Sequence, residues 1–246
     1  TRKESSAASD VYKRQIVFLD GYWELIKSGT WATIKLALLS VLLSFVLGLL
    51  GASAKLFGGA LLRGIATIYT TIIRAVPDLV LMLLLFFSIQ MGLNQITDAL
   101  GWKVIQIDPF WAGVIVIGMI YGAYFTETFR GAFLSVPKGQ IEAGMAYGMS
   151  PRQVFSRILF PQMMRYAIPG IGNNWLVVLK ATALVSIIGL SDLVKASQDA
   201  GRATGNMFKY ILIAGLIYLV LTSLSNIVLW YLERRYSAGA AKFEVD

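Results

Sequence analysis

The chain contains neither cysteine nor histidine. That inventory excludes thiol nucleophiles, Cys- or His-based metal centres and every Ser-His-Asp arrangement, and no metal site is expected. No G-x-x-x-x-G-K-[ST] phosphate loop occurs anywhere in the 246 residues, so no bound cofactor is expected and any nucleotide must sit on a partner. Carboxylates are not paired within the apolar runs, which argues against a membrane-embedded enzyme. Charge is scarce as well: Asp, Glu, Lys and Arg make up 15% of the chain against 57% hydrophobic residues, far from the balance of a water-soluble domain.

What the sequence has in abundance is apolar blocks about as long as a bilayer is thick. They predict an all-α polytopic membrane protein with about five transmembrane helices, over residues 30–54, 78–93, 110–129, 167–190 and 210–232. Residues 1–15 are polar and read as a disordered or non-native lead-in, and 16–29 as an amphipathic interfacial segment. The membrane domain occupies 30–233 and a tail follows over 234–246. A weaker apolar helix is expected over 62–74, with Pro77 breaking the chain before the second span. Ser44, Gly48 and Ala52 form a small-residue stripe on the first span, and Gly118 and Gly122 a GxxxG pair on the third, both suited to close helix approach. Trp31, Trp102, Trp111 and Trp230 lie near span ends as interface anchors.

The net charge of +8 does not point to nucleic acid, because the basic residues gather in loops between apolar blocks and form no aromatic-rich face. Lys55, Arg63 and Arg74 follow the first span, Arg130, Lys138, Arg152, Arg157 and Arg165 the third, and Arg234, Arg235 and Lys242 the fifth. By the positive-inside rule these segments face the cytoplasm, which puts the N-terminus in the periplasm and the C-terminus in the cytoplasm.

Within the spans, few polar residues stand out. Lys180 costs about 2.5–3.5 kcal/mol at mid-membrane, which the surrounding aliphatic residues offset, and it is expected to face the bundle interior or an aqueous cavity. Asn173 lies two turns earlier on the same face. Pro169, Gly170 and Gly172 are expected to unwind the helix there. Asn173, Asn174 and Lys180 either line a translocation path or knit helices together. In Tyr121-x-x-Tyr124-x-x-Glu127-x-x-Arg130 the three-residue spacing lets Glu127 and Arg130 pair, as a gate, as a substrate contact or as a structural ion pair. Arg74 to Asp78 reads as an elbow.

The long loop after the third span, about 138–161, holds Glu142-Ala143-Gly144, then Gly148, then Ile158-Leu159-Phe160-Pro161. Two short helices are expected, turning at Gly148 to Pro151, with Ser150 as N-cap and Pro151 in the first helical position. This spacing resembles the EAA loop of importer permeases of the ATP-binding-cassette (ABC) superfamily, although Gly144 stands where that pattern has Ala and Phe160 where it has Leu. Residues 69–84 (YTTIIRAVPDLVLMLL), 122–139 (GAYFTETFRGAFLSVPKG) and 164–189 (MRYAIPGIGNNWLVVLKATALVSIIG) are similar to the polar amino-acid branch, and most of all to Q-type permease subunits of histidine/lysine/arginine/ornithine importers, with arginine and opine permeases close behind.

The resemblance implies a type I ABC importer permease fold in a bacterial inner membrane. It also implies partners: a second homologous permease, two cytoplasmic ATPase subunits that bind ATP and Mg, a periplasmic solute-binding protein, membrane lipid and an amino-acid substrate. Glu142, Ala143, Gly144, Gly148, Ile158 and Pro161 then couple the ATPase to a non-catalytic subunit that moves basic amino acids. Such a substrate raises a difficulty, because Lys180 repels it and Glu127 is the one obvious anion near the path. A secondary amino-acid transporter or channel also explains the spans, but it gives no reason for the loop pattern.

Overall fold

The computed structural model describes residues 19–237 apart from positions 20 and 104. The lead-in over 1–15 and the last nine residues of the tail lie outside the described residues. The chain is helical in sequence order: α1 Trp23–Phe57, α2 Ala60–Ala75, α3 Asp78–Ala99, α4 Pro109–Leu134, α5 Lys138–Ala146, α6 Pro151–Val154, α7 Phe160–Ala181, α8 Leu193–Thr204 and α9 Met207–Ser237. One π turn, Phe155–Leu159, joins α6 to α7, and a 3-10 segment, Thr182–Ile188, extends α7. No strand occurs among the described residues. Five helical runs are long and apolar enough to cross a membrane: Trp23–Phe57, Asp78–Ala99, Pro109–Leu134, Pro151–Ile188 and Met207–Tyr236.

Each boundary has a local cause. Gly58 and Gly59 separate α1 from α2, Pro77 precedes α3, and Asp108 caps α4 by accepting from the N–H groups of Phe110 and Trp111 ahead of Pro109 at the first position. The described part of the amphipathic segment is not a separate helix. Trp23 to Gly29 form the first turns of α1, because Gly29 acts as a contact residue and not a breaker: a Cβ there would lie 2.7 Å from the Asp192 carbonyl oxygen. The expected unwinding at Pro169 to Gly172 is also absent. The helix runs through Pro169, Gly170 packs on Thr128 of α4, and Gly172 packs on Leu229 of α9. The irregular geometry comes later, over Thr182–Ile188, and ends at Gly189 with φ 98°.

α4 is the central span, with 67% of its most apolar stretch buried, and it packs chiefly against α1. The small-residue stripes make that contact. A side chain on Gly48 would overlap Phe125, one on Gly118 would overlap Leu43, and one on Gly122 would crowd Leu47 and Tyr69. Ser44 lies between the two helices, its Oγ 2.7 Å from the Ser40 carbonyl oxygen and 3.2 Å from that of Gly118. Three apolar clusters follow the bundle. The middle one centres on Leu36, Val116, Ile120 and Val185, and the second, near the α5–α6 hairpin, on Phe125, Phe129 and Met163. The third, at the opposite end, joins α1, α8 and α9 through Ile26, Leu193 and Tyr210. One polar contact holds α8 against α1, the Leu193 N–H donating to Thr33 Oγ1 at 3.1 Å, while Asp192 caps α8 by accepting from the Lys195 N–H at 2.9 Å.

Candidate functional site

Two constellations emerge, a hairpin and a polar cavity. The hairpin is α5, a four-residue turn and α6. Its first helix closes through the Tyr147 N–H to the Ala143 carbonyl at 3.0 Å, and Gly148 follows with φ 78°, the left-handed conformation that favours glycine. Ser150 then opens α6 with a capping box: its hydroxyl accepts from the Gln153 N–H, while Gln153 Oε1 accepts from the Ser150 N–H at 2.9 Å. Gly144 is buried at the crossing, where a Cβ would lie 2.6 Å from Ile158 Cδ1. Gln162 donates to Gln140 across the base. Glu142 and Ala143 remain exposed, Ile158 is half-buried and Pro161 is exposed. Tyr147, at the tip, is 88% exposed, and Met145 and Phe155 are exposed beside it.

The second helix does not stop short of the span, as the two-short-helices reading had it. Pro151 to Ile188 form one helical run through the π turn, so the hairpin and the fourth span are a single rod. The other arm, α5, is joined to α4 by a three-residue turn, Ser135 to Pro137.

The polar cavity lies near the hairpin end of α4. It encloses about 500 Å³ and is lined by Lys55, Thr70, Thr71, Arg74, Tyr124 and Glu127. Glu127 pairs with Arg130, Oε2 to Nε 2.9 Å, and also with Lys55, Oε1 to Nζ 2.5 Å. Lys55 in turn donates to Thr70 Oγ1 at 2.6 Å. The Lys55 side chain is 10% exposed and that of Glu127 18%, so the pair sits largely out of water. Removing Glu127 would strand the Lys55 ammonium, whereas removing Lys55 leaves Glu127 paired with Arg130. The Arg74 guanidinium lies 5.7 Å from the Tyr124 ring, and Tyr121 Oη donates to Asp78 Oδ2 at 2.7 Å. Thus the tyrosine-glutamate-arginine stripe on α4 faces the elbow between α2 and α3 and the end of α1.

Three of the sequence candidates on α7 separate. Asn174 is buried, and its Nδ2 donates to Thr128 Oγ1 on α4 at 3.0 Å, a bond that ties two helices. Asn173 and Lys180 are exposed on the outer face of this chain's bundle, which leaves an aqueous cavity, and not the bundle interior, as the expected setting for Lys180. Lys55 was counted in the sequence only as a topology charge. Its partner Glu127 is 72 positions away, and no local pattern connects them. Among the described residues no group of three or more Asp or Glu side chains gathers where a metal could sit.

A bundle of five apolar helical runs, a structured hairpin continuous with one of them and a polar cavity at the same end define a polytopic membrane permease subunit. The family follows from comparison with known proteins: over residues 40–238 the chain matches the binding-protein-dependent transport system inner membrane components, and it belongs to that family, as an ABC importer permease. It is 55% identical over 227 residues to the histidine/lysine/arginine/ornithine transport system permease protein HisQ of Escherichia coli (strain K12), covering 92% of this chain and 100% of that protein. It is 37% identical to the octopine transport system permease protein OccQ of Rhizobium radiobacter, over 89% of this chain and 93% of that one. Among solved structures, an amino acid ABC transporter crystallised with histidines superposes with TM-score 0.76 at 30% identity, covering 89% of this chain and 98% of the other. The MetNI methionine ABC transporter shares the fold, with TM-score 0.66 over 86% of this chain and 96% of that one, at 18% identity.

Proposed function

We propose that this chain is one half of the transmembrane pathway of an importer for basic amino acids, histidine, lysine, arginine, ornithine or opines, and that it is driven by ATP bound with Mg on a partner. The observation that carries the reading is the single helical rod from Pro151 to Ile188, whose near end is the hairpin. A force applied at the Pro151 end of this rod reaches Lys180 through continuous helix. In this reading two cytoplasmic ATPase subunits grip the hairpin, with Gly148 setting its turn, Gly144 and Ile158 its packing and Pro161 the start of the span. Closure of the ATPases moves the hairpins together, and the path alternates between the two sides of the membrane. A periplasmic binding protein delivers the substrate, the N-terminus lies in the periplasm and the C-terminus in the cytoplasm.

A second permease subunit completes the pathway. Lys180 and Asn173 face outward at mid-span, where lipid is a poor neighbour for an ammonium group, and a partner helix with an aqueous path between the two subunits supplies the missing polar environment. The charge balance of the cavity supports a role for it. Of the residues that line it, Lys55 and Arg74 outnumber the single Glu127 carboxylate, which is already held by Lys55 and by Arg130 beside it, so the site suits the α-carboxylate that every amino acid carries and not a cationic side chain. Discrimination for the basic side chain then rests with the second permease and the binding protein.

The test is uptake and ATP hydrolysis by the assembled complex in proteoliposomes. Gly148→Asp forces a side chain into left-handed backbone at a cost of about 1–2 kcal/mol and puts a charge at the hairpin tip. The expected result is loss of most substrate-stimulated ATPase activity together with uptake. Uptake that persists without ATP would instead favour a secondary transporter.

A further inference from the structure

Trp23, Lys27, Trp31 and Lys35 follow one another at four-residue intervals on α1, so they form one ridge. All four are exposed, Trp23 at 51% and Trp31 at 59%. Beside the ridge lies an apolar groove of about 370 Å³ between α1 and α9, lined by Trp23, Ile26, Lys27, Trp31, Ile34 and Ile217. Lys35 does not extend into the apolar zone around it. Its ammonium turns back to 5.8 Å from the Trp31 ring, the direction in which a helical side chain leans and in which a lysine snorkels. Lys27 has one loose charge partner, Glu24 at 3.8 Å, with both side chains mostly exposed.

Two cations at this end of α1 run against the charge bias that orients the chain, so topology gives them no role. Trp31 stands between them and Trp23 one turn before Lys27, indole side chains that favour the level of the lipid headgroups. The groove provides what an acyl chain needs, and the ridge what a phosphate needs.

We propose that this ridge and groove form a binding site for an anionic phospholipid of the leaflet at the N-terminal end of α1, with its phosphate between Lys27 and Lys35 and one acyl chain laid between α1 and α9. Phosphatidylglycerol is the headgroup class that fits: its phosphodiester carries a net negative charge with no ammonium to repel the two lysines. The site fixes the angle between α1 and α9, two spans that meet at this end through α8 and the Tyr22–Tyr210 ring contact, with centroids 6.1 Å apart.

The experiment is native mass spectrometry of the complete transporter, titrated separately with phosphatidylglycerol and phosphatidylethanolamine. Lys27→Gln with Lys35→Gln is expected to weaken phosphatidylglycerol retention about twenty-five-fold, from the roughly fivefold that each lysine near a membrane surface contributes to holding an anionic lipid, while leaving phosphatidylethanolamine unchanged. Ile217→Trp, which fills the groove and keeps both lysines, is expected to lower retention of phosphatidylglycerol as well. Because all the altered side chains lie on the surface or at the groove's edge, assembly of the complex is checked on the same spectra. Unchanged phosphatidylglycerol retention in both variants overturns the proposal. So does efficient cross-linking from Lys27→Cys to the second permease in native membranes, which would show a protein covering this ridge.

Discussion

Asp192 shows how much one residue can carry without any sequence motif. It stands just before α8 and is fully buried. One carboxylate oxygen caps the helix, while the other has no hydrogen-bond partner. Burial pushes its pKa up to about 6 from 3.8, although backbone N–H groups at Lys195 and Val194 oppose the shift. Tyr218 of α9 is the titratable neighbour across the packing. The sign follows from proton binding. Below 3.8 both the folded and unfolded chain hold the proton, and between 3.8 and about 6 only the folded chain holds it, so stability falls as pH rises through that window. The effect is on the order of 3 kcal/mol. Thermal unfolding of the detergent-solubilised complex at pH 4 and pH 7 is expected to show this loss in the wild type and not in Asp192→Asn, which keeps a capping oxygen. An identical pH slope in both proteins would count against it. Glu127 is the contrasting case. Its pairing with Arg130 was legible at three-residue spacing, but its closer partner Lys55 sits on another helix, and only the packing of α1 on α4 brings them together.

Secondary structure elements were legible to different degrees, for physical reasons. The five spans announce themselves by sheer length of apolar sequence. The hairpin turn announces itself through Gly148, Ser150 and Pro151, each suited to one backbone position. α8 went unread, although Asp192 as cap, Leu193, Ala196 and Ala200 on one face and Gly205 with φ 71° at the end are all there. A twelve-residue helix between two spans is easily overshadowed by its flanking charges. Glycine was the main source of misreading: Gly170 and Gly172 look like breakers in the sequence and turn out to be places where helices touch. Gly144 belongs with them, and it yields a prediction. The nearest atom to an added Cβ is the tip of the Ile158 side chain, which can swing aside. Gly144→Ala is therefore expected to keep uptake within about twofold and to stabilise α5 by roughly 0.5–1 kcal/mol through its helix propensity. Gly144→Leu is expected to prise the hairpin open and abolish coupled ATPase activity. Both are read from melting curves and substrate-stimulated hydrolysis.

At the scale of the whole molecule, burial is uneven. The most apolar stretch of α4 is 67% buried, while those of α3 and α9 are 11% and 6% buried. One span is thus wrapped by this chain alone, and the others present their flanks to lipid and to neighbouring subunits. Hydropathy cannot distinguish these surroundings, since a lipid-facing leucine and a core leucine read alike, and this is why the outward position of Lys180 had to come from the structure. If the second permease and the substrate path cover that face, Lys180→Met is expected to leave assembly and basal ATP hydrolysis intact and to remove most of the stimulation by loaded binding protein. Unaltered stimulation would reduce Lys180 to a structural residue.

The tight-wound stretch Thr182–Ile188 gives the rod a further property. A 3-10 turn rises about 2.0 Å per residue and an α-helix about 1.5 Å. Relaxing its seven residues to ordinary pitch would therefore shorten the span by about 3.5 Å without bending it. The pitch of this segment thus sets how far the rod reaches beyond Lys180, up to the left-handed turn at Gly189.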